Sequence, residues 1–327
     1  MADFARPRGE PFRTTILRFR EAVAGVLSRR GAARHRFRPA AALGPLVAAL
    51  LLAPTAAAEM REVRLEGDRF YLIDLPVRPQ GAPLILMLHG GGGNPGQIAR
   101  NSGLSAAALP RGYAVIYPAG SGRSLLLTWN AGSCCAYAAR QGTDDVAFLD
   151  AVIDDAERRF GLDGGSAFLT GMSNGAMMAE RYAALRPERV RAVAGVAGTM
   201  DLSTPIREPV PFLHIHGTAD ASVPYGGGLG EGVARVRFDP VPDLIAAWRR
   251  ANRALGPAER RIVDPEPDGM RAAVDDWRDA AGRVMVRLVT IEGGGHVWPG
   301  GRRAARTGGT RDISASEEVL RFFDAHR

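Results

Sequence analysis

Ala167-Phe-Leu-Thr170-Gly171-Met172-Ser173-Asn174-Gly175 decides the fold, together with the residues that follow it to Leu185. Ala167–Thr170 is a short, solidly apolar run and reads as a buried strand, and Gly175–Leu185 carries a helical pattern. Between them lies G-x-S-x-G. Strand, tight turn and helix around a serine make a nucleophile elbow. The turn lifts Ser173 above the sheet edge, and the flanking glycines let strand and helix pack closely. Asn174 sits at the helix N-terminus, so its backbone N–H points toward a developing oxyanion. In a chain with 40 glycines the pentapeptide alone is common; the strand before it and the helix after it give it meaning.

Working outward, short apolar runs of the buried parallel-strand kind recur at 83–88, 113–117, 190–195, 211–215 and 284–291. Arg61–Leu65 and Arg69–Leu75 read as an opening hairpin around the turn Glu66-Gly67-Asp68. Helical patterns fall at 144–160, 175–185, 242–254 and 314–325. The first is the clearest, with Leu149, Val152, Ile153, Ala156 and Phe160 on one face. Strands alternating with helices predict an α/β fold, a mostly parallel central sheet with helices on both faces. Ligands of such sheets sit at the carboxyl ends of the strands.

A serine needs a base to take its proton. His296 lies in Glu292-Gly-Gly-Gly-His296-Val-Trp-Pro-Gly300, directly after the last predicted strand. His89, His214 and His216 lie at strand ends, where packing and loop-tying are common. The orienting acid falls between serine and histidine in this chain order, and Asp220, in the loop after 211–215, meets that requirement. Alone, Asp220 reads as an Asx-turn residue; three loops in the order Ser173, Asp220, His296, each after its own strand, outweigh that reading. The loop His89-Gly90-Gly-Gly-Gly93-Asn94 follows a central strand and offers Gly91 or Gly92 as a second oxyanion donor. A phosphate-binding reading of this loop fails, because the chain contains no lysine.

These residues resemble a known family. His89–Asn94, Trp129-Asn-Ala-Gly-Ser-Cys-Cys135, Asp144–Phe148, Gly171–Gly175, His216–Tyr225 and Gly294–Gly300 are similar to the secreted esterases grouped as polyhydroxybutyrate depolymerase-like and feruloyl esterase-like. The resemblance runs over roughly residues 62–326. It implies an α/β-hydrolase fold with Ser173 as nucleophile, Asp220 as acid and His296 as base, and it implies no metal and no organic cofactor. The chain departs from the longer polyester depolymerases in having no linker and no polymer-binding module, which argues against attack on crystalline polymer. Trp129, Asn130, Tyr225 and Trp298 flank the catalytic loops and offer a platform for a ring or polymer chain. The competing reading is that Trp298 packs the histidine loop and Trp129 the core. Asp144 or Asp145 reads as a helix N-cap.

Charge and leader complete the picture. Residues 1–38 hold ten arginines against Asp3, Glu10 and Glu21, whereas the chain from Glu59 onward carries 32 arginines against 32 acidic residues. That balance leaves no global basic field for nucleic acid. An arginine-rich stretch, the apolar centre Leu46–Leu52 and the small-residue end Thr55–Ala58 read as a secretory signal. Residues 1–58 are therefore expected to be a leader, with a start as far in as Val26 and Arg29-Arg30 as a candidate twin-arginine pair. Residues 59–327 are expected to form one catalytic domain. The leader is too interrupted by Gly44, Pro45 and Pro54 to be a stable membrane anchor. Cys134 and Cys135 read equally as thiols or as a vicinal disulfide. The expectation is a secreted or periplasmic serine carboxylic ester hydrolase acting on polyhydroxybutyrate-type polyesters or their oligomers. The runner-up is a feruloyl or acetyl xylan esterase; an acyltransferase and a non-catalytic binding protein are the readings from other classes.

Overall fold

The computed structural model describes residues 60–124, 126–231 and 235–327, and the expected leader over 1–58 lies outside them. Ten strands form one sheet: β1 (Arg61–Arg64), β2 (Phe70–Asp74), β3 (Pro83–Leu88), β4 (Ala114–Pro118), β5 (Asp163–Met172), β6 (Val190–Val196), β7 (Phe212–Gly217), β8 (Glu259–Val263), β9 (Arg271–Arg278) and β10 (Val284–Glu292). Their order is β1-β2-β4-β3-β5-β6-β7-β10-β9-β8. The six strands from β4 to β10 in that order run parallel, as the solid apolar runs predict. Antiparallel pairs finish both edges.

Strand β3 shows how the sheet divides the core. Leu84, Leu86 and Leu88 join one buried cluster, and Ile85 and Met87 join the other, because successive side chains leave a strand on opposite faces. The first cluster is covered by the helices Asp145–Phe160, Asn174–Leu185 and Val241–Ala251. The second is covered by Pro95–Ser102, Leu104–Ala108 and Ala315–Asp324. This is the doubly covered sheet of an α/β-hydrolase. Helix starts follow their capping residues: Asn94 caps Pro95–Ser102, Asp144 caps Asp145–Phe160 and Ser314 caps Ala315–Asp324. Among the described residues no helix is long and apolar enough to cross a membrane.

The sequence pattern missed the antiparallel edge of β8 and β9. Arg260 binds Asp275 with two bonds of 2.7 Å, Arg261 binds Asp276, and Arg287 of β10 also binds Asp276. Asp275 and Asp276 are buried beneath their arginines. A strand whose carboxylates are neutralised across the ladder has no apolar alternation to read.

Candidate active site

Four loops at the carboxyl ends of β3, β5, β7 and β10 carry His89–Asn94, Ser173, Asp220 and His296. Ser173 is the turn residue between β5 and its helix, at φ 56° and ψ −127°. A non-glycine residue held there costs about 1–3 kcal/mol and persists only where its surroundings fix it. The surroundings are close. A Cβ on Gly175 would lie 2.4 Å from Leu88 O, and one on Gly198 would lie 2.3 Å from Ser173 O. The Ser173 N–H donates to Val196 O at 2.8 Å. The elbow is thus wedged between β3 and β6, and only glycine fits on either side.

Asp220 is buried, and its Oδ2 accepts from His296 Nδ1 at 2.7 Å. Its Oδ1 accepts from Ser222 N and Val223 N, each at 2.9 Å. Burial pushes the Asp220 carboxyl upward, but the N–H groups of His216 and His296 outweigh burial and hold it well below the usual carboxylate range. The aspartate therefore stays ionised and keeps Nδ1 of His296 protonated. His296 is a quarter exposed and sits in a glycine loop. Ser173 and His296 line one cleft of about 280 Å³, with the loop His89–Gly93, Gln97, Ile98, Met172, Val297, Trp298 and Arg303. Among the described residues no hydrogen bond joins Ser173 to His296; such contacts commonly tighten only when substrate binds.

The glycine loop is tied down by the buried His89. Its Nε2 accepts from Gly120 N at 3.0 Å, so Nδ1 carries the hydrogen and donates to Gly90 O at 2.9 Å. Burial depresses this imidazole to about 4, which keeps it neutral. Of the two expected oxyanion donors in the loop, Gly92 is corrected: its N–H is donated to Leu127 O at 2.8 Å. Gly91 packs toward Asn174, with a built Cβ 3.5 Å from Asn174 Cβ. Asn174 is fixed in turn by two bonds to the Trp129 backbone, 2.7 Å from Trp129 N and 3.0 Å to Trp129 O.

The expected aromatic platform is not assembled. Trp129 is fully buried, donates from Nε1 to His89 O at 2.9 Å, and stacks on Phe148. Asn130 donates from its side chain to Thr143 O and from its backbone to Asp145. Tyr225 lies edge-on to His216, with its hydroxyl 3.1 Å from Thr290 Oγ1. None of these three lines the cleft. Trp298 does, although it is 1% exposed and donates to Ser316. Of the two readings open for the tryptophans, packing in the core holds for Trp129, while Trp298 packs against Ser316 and also lines the cleft. Cys134 and Cys135 sit as a bonded vicinal pair in the segment that carries Trp129, both buried. A larger hollow of about 600 Å³ beyond the glycine loop, between Phe70, Pro95, Ser121 and Tyr137, contains neither Ser173 nor any histidine.

Comparison with known proteins agrees with this architecture. Residues 69–203 match the family described as esterase PHB depolymerase; the match includes Ser173 and ends before Asp220 and His296. The chain is 33% identical over 265 residues to "Putative esterase NocK" of Nocardia uniformis subsp. tsuyamanensis, covering 76% of this chain and 75% of that one. It is 28% identical over 227 residues to feruloyl esterase B of Piromyces equi, covering 66% of this chain but 40% of that protein. In three dimensions it is similar to an acetyl xylan esterase from Aspergillus awamori, with a TM-score of 0.56 at 16% identity over 81% of this chain and 98% of the other.

Proposed function

This chain belongs to the esterase family described as PHB depolymerase, and from that premise we propose that it is an exported serine carboxylic ester hydrolase acting on hydroxyalkanoate polyesters or their short oligomers. The observation that carries the mechanism is the 2.7 Å bond between His296 and Asp220 beside a cleft that also holds Ser173. Ser173 Oγ attacks the ester carbonyl while His296 Nε2 takes its proton, and Asp220 steadies the imidazolium. Backbone N–H groups of Asn174 and Gly91 receive the oxyanion. Collapse expels the alcohol, protonated by His296, and leaves the acyl group on Ser173. A water deprotonated by His296 then releases the acid.

The wall of the cleft supports a short, flexible acyl chain over a flat ring. Ile98, Met172 and Val297 give apolar contact, and the exposed Arg303 offers a cation to the free carboxylate that ends a hydroxyalkanoate oligomer. Feruloyl or acetyl esters of plant polysaccharide are the second reading, favoured by the relatedness to feruloyl esterase B. Residues 1–58 are the proposed export leader, and N-terminal sequencing of the secreted protein should begin at Glu59.

Initial rates on hydroxybutyrate oligomers, amorphous polyhydroxybutyrate, methyl ferulate and acetylated xylan test the assignment, with Ser173→Ala as the blank. Hydroxybutyrate released well above ferulate and acetate is the expected result. Dominant ferulate or acetate release would move the activity to plant cell-wall esters. Near-wild-type hydrolysis by Ser173→Ala would end the mechanism.

A further inference from the structure

Behind Asp220 a row of buried side chains runs inward that the mechanism above does not use. His216 Nε2 lies 2.8 Å from Val223 O and 3.4 Å from Asp220 Oδ2. His216 Nδ1 lies 3.0 Å from His214 Nε2, and His214 Nδ1 lies 3.0 Å from Glu180 Oε1. Glu180 Oε2 accepts from Met200 N at 2.9 Å. The side chains of Glu180, His214, His216 and Asp220 are all 0% exposed. The fit is tight at the inner end, where a Cβ on Gly195 would fall 1.9 Å from Glu180 Oε1. Among the described residues no group of these side chains is arranged to hold a metal ion.

The row has a direction, and the Val223 carbonyl sets it. A carbonyl oxygen only accepts, so Nε2 of His216 must carry a hydrogen. A neutral His216 then has a bare Nδ1, which must accept from His214 Nε2–H. That leaves His214 Nδ1 bare, and its one neighbour, Glu180, has to donate. The same number of protons can be arranged as a Glu180 carboxylate and a His216 imidazolium. That arrangement places two further charges out of reach of water; Asp220 at 3.4 Å favours the imidazolium, but burial outweighs it at His216. Burial acts accordingly: it raises Glu180 well above the usual carboxylate range, lowers His216, and depresses His214 to about 3.

We infer that Glu180 is a neutral carboxylic acid that donates to His214 and, through the tautomers of His214 and His216, clamps the loop carrying Asp220. Glu180 is thus a positioning residue, not a charge relay. It stands on the helix that begins at the elbow, so one helix presents Ser173 at its start and braces Asp220 from its second turn. The inference rests on the reading of Asp220 as the acid that orients His296.

Two substitutions in the full chain test it. Glu180→Gln supplies an N–H to His214 and an oxygen to Met200 N, as the protonated acid does. It should keep kcat/KM within about twofold of wild type with the same pH profile. Glu180→Leu fills the space but donates nothing, and should lower kcat by about tenfold or more with little change in KM. In infrared difference spectra at pH 7, wild type minus Glu180→Gln should contain the carbonyl stretch of a protonated carboxylic acid. Loss of activity in Glu180→Gln equal to that in Glu180→Leu, or absence of that band, would overturn the inference. Full activity in Glu180→Leu would overturn the positioning role. The infrared result does not depend on turnover, so failure of the Ser173 mechanism itself would be seen separately, as activity surviving in Ser173→Ala.

Discussion

Replacing Asp220 with asparagine tests the proposed triad most sharply, because the structure dictates which way the amide must lie. The Asp220 carboxylate accepts three short bonds, two from backbone N–H groups on Oδ1 and one from His296 on Oδ2. Asparagine has one acceptor oxygen. Turned toward the backbone it keeps the bonds from the half-buried Ser222 N–H and the buried Val223 N–H, while the His216 N–H that loses Asp220 Oδ2 still has Val223 O; turned toward His296 it sets its NH2 against both backbone donors. An unsatisfied buried donor costs about 1–3 kcal/mol, so the oxygen faces the backbone by about that much. The NH2 then donates to His296 Nδ1 and moves the imidazole hydrogen to Nε2. An imidazole in that tautomer cannot accept the Ser173 proton. The expected loss in kcat is about 10⁴-fold, as for the equivalent change in a serine protease triad, or about 5.5 kcal/mol of transition-state stabilisation. KM should change little, since Asp220 does not line the cleft. Steady-state kinetics on an activated ester, with circular dichroism to establish folding, measure both. A kcat within tenfold of wild type would refute the reasoning.

Three further outcomes are expected. Because Glu180 is raised in the folded chain above its unfolded value near 4.3, its contribution is present below that pH and lost as pH rises. Glu180→Gln should therefore gain on wild type by up to about 1.4 kcal/mol per pH unit above ~4.3, read from urea midpoints at pH 5, 6 and 7; parallel curves would contradict it. Gly175→Ala places a methyl 2.4 Å from Leu88 O and 2.5 Å from His89 O, both backbone atoms, and should destabilise by about 3 kcal/mol in urea unfolding. An unchanged midpoint would mean that the elbow is not wedged. Arg303→Gln should lower kcat/KM about fivefold for hydroxybutyrate oligomers with a free carboxylate, the exposed guanidinium being partly screened. It should leave the methyl esters of the same oligomers unchanged, and an equal effect on both would remove Arg303 from substrate recognition.

Much of the fold was legible because the parallel strands are buried on both faces and so read as solid apolar runs. The elbow was legible because its glycines, strand and helix occupy one contiguous stretch. What escaped depends on contacts between distant segments. The β8–β9 edge looks polar until Arg260, Arg261 and Arg287 meet Asp275 and Asp276 across the ladder. Choosing between Gly91 and Gly92 needs the position of Leu127 O, which no local pattern carries. The choice between the two readings of Trp129, and the side that Tyr225 faces, lay beyond the sequence, because proximity to a catalytic loop says nothing about which side of the loop an indole or phenol faces. Glu180 gave no signal at all. A glutamate in a helix is normally solvated, and its burial follows only from Gly195 and the two histidines on β7.

The three parts of the proposed triad are held with unequal firmness, and this difference bears on how the site works. Ser173 is fixed by a strained backbone wedged between glycines, so its Cα–Cβ bond is placed by the sheet itself. Asp220 is fixed by two backbone N–H groups and backed by a buried row that ends on a helix. His296 is a quarter exposed, follows three consecutive glycines, and is tied at one nitrogen only among the described residues. Its ring can therefore turn about the Asp220 bond while the other two groups stay still. Nucleophile and acid are thus preorganised, and the remaining adjustment toward Ser173 falls to the imidazole. That division suits a reaction in which His296 must serve two partners in turn. In the proposed mechanism it takes the proton of Ser173 in acylation and that of water in deacylation, and these oxygens do not occupy the same point.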